Sequence, residues 1–156
     1  MDKFEKQRIS DYLSRYLECQ EKIRNERDHL ASLRSIVENC TTKLSLTAGR
    51  NPSRDKDRFE NAMIDLTEEE RKADSRIRAY SAGMAEVEDL ISSVPDAGLQ
   101  KILRLRYISG YPPKRISREL SVSRPQYYRL MNMALDLAAR NKKSAAFSKQ
   151  RQLETF

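Results

Sequence analysis

Residues 112–135, PPKRISRELSVSRPQYYRLMNMAL, place basic, amide and aromatic side chains at spacings that suit nucleic-acid binding. Pro113 fits the first residue of a short helix, and Ser123 fits the N-cap of a second helix. Ser121 and Val122 would form the turn between them. Two helices joined by a tight turn are typical of a helix-turn-helix, which places its second helix in the major groove of DNA.

The second predicted helix, residues 124–138, has one apolar and one polar face. Its apolar face, expected in the core, consists of Tyr127, Leu130, Met131, Ala134 and Ala138. The guanidinium forks of Arg124 and Arg129 suit guanine, and the amide of Gln126 suits adenine. Basic groups on the first helix would bind phosphates, which positions a protein on DNA without specifying sequence. The predicted DNA-binding residues are Lys114, Arg115, Arg118, Ser123, Arg124, Gln126, Tyr128, Arg129 and Asn132.

Positive charge is concentrated in the same third of the chain. Residues 101–156 contain 13 Lys/Arg against 3 Asp/Glu, a balance of +10, whereas residues 1–100 contain 17 against 20, a balance of −3. A localised basic surface is expected for a protein that binds a polyanion such as double-stranded DNA. The alternative is that these charges form only a solvated face and a solubilising tail, since five of them lie between Arg140 and Arg151.

The rest of the sequence offers no catalytic or metal-binding pattern. His29, the single histidine, has no second ligand at metal spacing, and the four glycines form no phosphate-binding loop. We therefore expect no enzyme activity, no metal and no cofactor. Cys19 and Cys40 on one predicted helix would be about 30 Å apart, too far for a disulfide. Since the sequence also lacks a membrane-spanning run and a signal-peptide pattern, we expect a cytoplasmic protein without membrane contact.

Two long helices are predicted upstream. Apolar residues recur mostly every three, four or seven positions over residues 5–46, and at alternating steps of four and three over residues 55–94. The second spacing is typical of a left-handed coiled coil. Turn residues at 46–56 predict a loop, so the simplest arrangement is an antiparallel hairpin that brings the seam acid Glu70 beside Arg34. An intermolecular coiled coil is the alternative, and a homodimer is compatible with either arrangement.

These elements predict an all-α fold, in which a long antiparallel, coiled-coil-like helical hairpin is followed by a small helix-turn-helix head. The hairpin would span residues 1–95, the head residues 96–140, and a flexible basic tail residues 141–156. Asp96 suits the N-cap of a further short helix over residues 97–109, which Gly110 would end.

Residues 102–135, beginning ILRLRYISG, resemble region 4 of bacterial sigma-70 factors. The match comprises the LRLRY run, the I-small-x-x-L first helix, the V-S turn and the terminal AL, in that order. The whole layout is similar to a family of small phage and prophage proteins from Gram-positive bacteria that are regarded as transcriptional regulators. Two positions depart from the pattern, since the family often has an aromatic residue near Pro113 and usually has Gly in place of Ser121. The sequence shows no counterpart of sigma region 2.

The resemblance implies a sequence-specific regulator in which helix 124–138 lies in the major groove, with Arg104 or Arg106 behind the phosphate contacts. Two other classes stay open. Heads similar to region 4 also dock on RNA polymerase, so the chain could be a polymerase-binding adaptor. Phage DNA-packaging recognition subunits also join a helix-turn-helix to helical oligomerisation elements, and a ring-shaped oligomer would favour that class.

Overall fold

A computed structural model describes residues 2–46 and 52–153 of the chain. These residues form five helices and no strand, which confirms the all-α prediction. The helices are α1 (Lys3–Leu46), α2 (Pro52–Ser92), α3 (Ala97–Leu103, continued by a π-helical turn over Arg104–Ile108), α4 (Pro113–Glu119) and α5 (Arg124–Leu153). Over the described ranges, none of them has a stretch both long and apolar enough to cross a membrane.

Helix α2 begins earlier than the sequence predicts. The predicted loop runs to Lys56, but residues 52–56 form the first turns of α2. Proline at the first helical position has its φ preset and needs no hydrogen-bond partner, and Asp55 favours the positive end of the helix. Residues 47–51 of the predicted loop lie outside the described residues.

The predicted apolar seam of α1 is largely buried, whereas that of α2 is buried at three positions within the helix. The buried seam residues are Ile9, Leu13, Tyr16, Ile23, Leu30 and Val37 in α1, and Ala73, Val87 and Ile91 in α2. Other seam residues of α2, such as Phe59 and Leu66, are only half-buried. Met63 is an exception to the prediction, because its side chain is 40% exposed.

The helices form two compact units, one of residues 20–81 and one of residues 1–19 with 82–156. In the first, Arg34 Nε donates to Glu70 Oε1 at 2.9 Å, so the predicted Arg34–Glu70 contact is confirmed. Arg34 Nη2 lies 2.9 Å from the same oxygen.

Two further contacts fix the direction of the paired segments in the unit of residues 20–81. Arg76 Nη1 donates to both carboxylate oxygens of Glu26 at 2.9 Å. Lys22 Nζ lies 5.5 Å from the centroid of the Tyr80 ring. As residue numbers rise along α1 they fall along α2, so these segments pair antiparallel, close to the predicted register.

The unit of residues 1–19 and 82–156 has one apolar core. Its most deeply buried side chains are Leu13, Val87, Ile91, Val94, Ile102, Leu103, Ile116 and Tyr127. The first part of α1 and the last part of α2 therefore share a core with α3, α4 and α5. The sequence predicts a boundary near residue 95, whereas the structure divides within α1 and α2, because seam residues from the start of α1 and from the end of α2 join this core.

The turn between α2 and α3 is held by side-chain hydrogen bonds. The backbone N–H of Leu99 donates to Asp96 Oδ1 at 2.9 Å, which confirms Asp96 as the predicted N-cap. Gln100 Nε2 donates to the carbonyl oxygen of Val94 at 2.6 Å. These bonds set the direction in which α3 leaves the end of α2.

Helix α5 extends far beyond its predicted end at residue 138. Residues 141–153, expected as a flexible tail, are helical in the structure. No Gly or Pro interrupts the helix after Pro125, and Ala139 packs into the core. Asn141 Nδ2 also donates to the carbonyl oxygen of Ser93 at 2.9 Å, and Lys143 pairs with Glu5. The charges of this segment therefore stand at defined positions.

Candidate nucleic-acid interface

Helices α4 and α5 are joined by a four-residue turn over residues 120–123. The backbone N–H of Val122 donates to the carbonyl oxygen of Ser117 at 3.0 Å and closes this turn. Ser121 in the turn has a φ of 52°, the left-handed conformation that glycine adopts most easily. The N–H of Gln126 donates to Ser123 Oγ at 3.3 Å, which confirms Ser123 as the N-cap of α5.

One side of these helices is anchored in the core. Ile116 is fully buried and Tyr127 is 2% exposed. Burial raises the pKa of the Tyr127 phenol, as expected for a ring packed among apolar groups. Met131, Ala134 and Ala138 are buried as predicted, whereas Leu130 is only half-buried. The opposite side of α5 must therefore face outward.

The structure leaves all nine predicted DNA-binding residues exposed. They form what we term the α4–α5 surface: Lys114, Arg115, Arg118, Ser123, Arg124, Gln126, Tyr128, Arg129 and Asn132. On α5, Arg124, Tyr128 and Asn132 are spaced by four residues and lie on one face of the helix. Arg129 lies beside this face. Hydrogen-bond donors of α4 and α5 are thus accessible to an external partner.

Within the described residues, the cations of the α4–α5 surface are not paired with carboxylates. In the part of the chain that the structure describes, none of the five forms an ion pair with a carboxylate. They are Lys114, Arg115, Arg118, Arg124 and Arg129. Uncompensated cations raise the local potential and attract anions. An anion that approaches this surface would not have to break an internal ion pair.

Tyr111 contacts the α4–α5 surface through Arg115, and the sequence did not reveal this contact. The guanidinium Cζ of Arg115 lies 3.6 Å from the centroid of its ring. Arg106 Nη1 also donates to the backbone carbonyl oxygen of Tyr111 at 3.1 Å. Gly110, directly before Tyr111, has a φ of +73°, a left-handed conformation that favours glycine. A tyrosine four residues before an arginine was the available signal, but it predicts contact only inside a continuous helix.

The two arginines expected behind the phosphate contacts have internal partners instead. Arg104 Nη2 donates to Ser92 Oγ at 2.9 Å, and Arg106 holds the Tyr111 carbonyl. Both side chains are half-buried. Arg104 thus fastens α3 to the end of α2, and Arg106 fastens the segment before α4.

Two side chains give α5 an aromatic and apolar component at its surface. Tyr128 is 44% exposed and its ring stands edge-on to Tyr127, with centroids 5.1 Å apart. Arg124 Cζ lies 5.9 Å from the Tyr128 centroid. Met133, which the sequence did not single out, is 49% exposed. These groups offer apolar contact beside the charged donors.

Comparison with known proteins gives one match. A family model with the description "Protein of unknown function (DUF1492)" matches residues 48–138, which is more than half of the chain. The matched range includes every residue of the α4–α5 surface. No curated protein and no solved structure gave a significant match.

Proposed function

The chain belongs to the DUF1492 family, and we propose that it is a sequence-specific DNA-binding transcription regulator. In this proposal α4, the turn and α5 act as a helix-turn-helix similar to sigma region 4, carried on a long antiparallel helical hairpin. The observation that carries it is the exposure of all nine residues of the α4–α5 surface, five of them cations without ion pairs. Phage or prophage gene control is the biological setting that the sequence resemblance favours.

The proposal gives the two helices different tasks. The first turns of α5 enter the major groove, where Arg124 and Arg129 offer bidentate forks to guanine and Gln126 pairs with adenine. Tyr128 contacts a phosphate or a thymine methyl group. The cations of α4 bind phosphates on either side of the groove and set the orientation of α5 without specifying sequence.

Selection of duplexes from a random-sequence pool with the purified protein is the direct test. We expect a defined consensus, and replacement of one arginine by alanine in α5 should then relax one base preference. Arg129→Ala should weaken binding to the selected site by about 1–3 kcal/mol. Lys114→Ala is the matched control, because loss of a phosphate contact should weaken all duplexes alike. Unchanged affinity and preference for the selected site in Arg129→Ala would refute the groove assignment.

A second candidate function is docking on RNA polymerase as a sigma-like adaptor. The exposed side chains of Tyr128 and Met133 favour it, because apolar groups on a charged surface suit contact with a protein. A pull-down with core polymerase, beside a duplex gel shift at two salt concentrations, separates the two functions. Binding to DNA that falls steeply with salt supports direct recognition. The mass of the protein in solution tests a third class. A ring-shaped oligomer would support a phage DNA-packaging recognition subunit.

We also propose that the unit of residues 20–81 pairs with a second copy of the chain. Ile36, Met63 and Ile64 in this unit are 56%, 40% and 60% exposed, and two helices alone cover little apolar surface. Sedimentation equilibrium tests this, with a dimer as the expected species. A strictly monomeric protein at micromolar concentration would exclude the homodimer.

A further inference from the structure

A second group of cations gathers on the unit of residues 1–19 and 82–156, away from the residues assigned to DNA. Lys142 Nζ lies 3.4 Å from the centroid of the Tyr12 ring, and Arg15 Cζ lies 5.2 Å from the same centroid. Arg8 lies one helical turn before Tyr12 and shares a cavity lining with Lys142. We call Arg8, Tyr12, Arg15 and Lys142 the Tyr12 cluster. Its members come from opposite ends of the chain, so folding, not a local charge run, brings them together.

Nearby carboxylates neutralise only part of this cluster. Glu5 is already paired with Lys143. Glu86 lies 3.9 Å from Arg15 and accepts a long hydrogen bond from Tyr12 at 3.5 Å. Within the described ranges, neither Arg8 nor Lys142 has an ion pair. Two cations of the cluster are therefore left without a carboxylate at ion-pair distance.

The surroundings of Lys142 in the folded chain disfavour the charged form of its ammonium group. Although the residue as a whole is exposed, burial lowers the pKa of its ammonium group, and the nearby Arg15 and Arg8 lower it further. Glu86 acts in the opposite direction but does not cancel these effects. Convergent like charges destabilise a fold unless an anion offsets them, so the arrangement is best suited to a charged ligand.

A cavity beside the cluster gives an anion room to bind. Its volume is about 260 Å³. Its lining consists of the charged residues Glu5, Arg8, Lys142 and Lys143 and the apolar residues Ile9, Ala139 and Ala146. This volume lies below the range usual for drug-sized ligands and suits a compact group such as a phosphate with part of its substituent.

We propose that Arg8 and Lys142 bind a phosphate group in this cavity, with Arg15 adding to the positive potential. The phosphate could belong to a nucleic-acid backbone or to a small phosphorylated molecule, and both present the same oxygens to the two cations. The site shares no residue with the α4–α5 surface. It goes beyond the proposed function and does not depend on groove recognition.

Thermal unfolding in inorganic phosphate, with chloride at matched ionic strength as reference, tests the site. The variants are Lys142→Met, which keeps an unbranched stem over Tyr12, and Arg8→Gln, with Lys149→Met on the same helix as control. Wild type and Lys149→Met should gain about 3–6 °C for each tenfold rise in phosphate above the dissociation constant. Both cluster variants should lose this gain. Because phosphate also stabilises proteins by exclusion from their surface, the difference between variants is the decisive quantity.

The stability of Lys142→Met without phosphate provides a second readout. Its midpoint should stay close to that of wild type, because the variant removes both the contact with Tyr12 and a charge whose pKa burial lowers. A merely structural role of the ammonium over Tyr12 would lower the midpoint and leave the phosphate response intact. That result, or an equal phosphate response in Arg8→Gln and wild type, would overturn the proposal.

Affinity for a duplex of unselected sequence identifies the source of the phosphate. If a nucleic-acid phosphate occupies the cavity, the affinity of each cluster variant should fall less steeply with salt than that of wild type. The slope of log affinity against log salt should become shallower by about 1. If the slope is unchanged while the response to inorganic phosphate is lost, a small phosphorylated molecule is the ligand. Both results support the site. Failure of the proposed function would be seen separately, as absence of a consensus in the random-sequence selection.

Discussion

The guanidinium group of Arg115 rests on the ring of Tyr111, with Cζ 3.6 Å from the ring centroid. Stacking of this kind uses the flat face of the guanidinium and leaves its N–H groups at the edge free to donate. The ring is itself held in place, because Arg106 binds the backbone carbonyl of Tyr111. Tyr111 therefore orients an arginine that the proposed function assigns to a DNA phosphate.

Replacement of Tyr111 should weaken DNA binding only through Arg115. In Tyr111→Leu the guanidinium loses its support, and affinity for a duplex of unselected sequence should fall about two- to fivefold, the equivalent of one exposed cation–π contact. Tyr111→Phe keeps the ring and should bind as wild type. Fluorescence anisotropy at fixed salt measures these affinities.

A double-mutant cycle separates orientation of Arg115 from a general disturbance of the loop. Tyr111→Leu should have no further effect on affinity once Arg115→Ala is present, since the residue it orients is gone. An undiminished loss in the Arg115→Ala background would mean that Tyr111 acts on the fold and not through the arginine.

Features that depend on local spacing could be predicted from the sequence. The starts of α4 and α5, the N-caps Asp96 and Ser123, and the buried position of Tyr127 all follow from spacing along one or two turns of helix. The Arg34–Glu70 contact was also predictable, because a strict apolar repeat fixes which residues of two paired helices meet. Exposure of the α4–α5 surface follows from the same periodicity.

Features that depend on the folded chain could not be predicted. Contact between Tyr12 and Lys142 requires α1 and α5 to pack together, and no local pattern encodes a pairing of residues so far apart. The stack of Arg115 on Tyr111 depends on the positive φ of Gly110. Helix α5 continues past its predicted end with contacts that only the folded unit provides, from Asn141 to Ser93 and from Lys143 to Glu5.

Reversing one charge of the Arg34–Glu70 pair should destabilise the protein, and reversing both should restore its stability. Glu70→Arg places two arginines together and should lower the free energy of unfolding by about 0.2–1 kcal/mol, the usual range for an exposed pair. Addition of Arg34→Glu to this variant should recover most of the loss. Urea unfolding followed by circular dichroism measures both steps. No recovery in the double variant would show that the hydrogen-bonded pair is energetically silent.

Glu70→Leu tests whether the same contact specifies register. An apolar residue fits the seam better, so the thermal midpoint should rise, but loss of the polar contact should allow other registers or oligomers. Distances between spin labels on exposed positions of the two segments, together with sedimentation equilibrium, would detect them. A higher midpoint with one unchanged register and oligomeric state would remove the specifying role.

At two positions with positive φ, a glycine should be more stable than a residue with a side chain. Ser121→Gly should therefore stabilise the protein and Gly110→Ala should destabilise it. Ser121 has a φ of 52°, a conformation that costs a serine more free energy than a glycine. Ser121→Gly should therefore raise the free energy of unfolding by about 0.5 kcal/mol, after allowance for the greater entropy of glycine in the unfolded chain. Gly110→Ala should destabilise by about 1–2 kcal/mol, because the φ is +73° and a Cβ would meet Leu17 Cδ1 at 3.3 Å. Chemical unfolding measures both, and a neutral or destabilising Ser121→Gly would contradict the assigned strain.

Alkaline pH should reveal the buried phenol of Tyr107. Its side chain is 6% exposed and its hydroxyl lies 2.9 Å from Ser10 Oγ. Burial raises the pKa of this phenol above its ordinary value of 10.0, although the Ser10 hydrogen bond and Arg106 oppose the shift. Since the folded state then holds the proton more tightly than the unfolded state, the stability contributed by Tyr107 is fully present below pH 10 and declines above it.

Comparison of wild type with Tyr107→Phe isolates this group from the other buried tyrosines. At pH 7 the variant should be less stable by about 0.5–1.5 kcal/mol, because it loses the hydrogen bond to Ser10. Above pH 10 the wild type must also keep the Tyr107 phenol protonated, which the variant lacks, so the two unfolding free energies should converge as pH rises. Urea unfolding at pH 7, 9, 10 and 11 measures the difference, with Ser10→Ala as the control that lacks the same hydrogen bond but keeps the titrating phenol. Parallel pH profiles for wild type and Tyr107→Phe would show that the phenol ionises equally in both states.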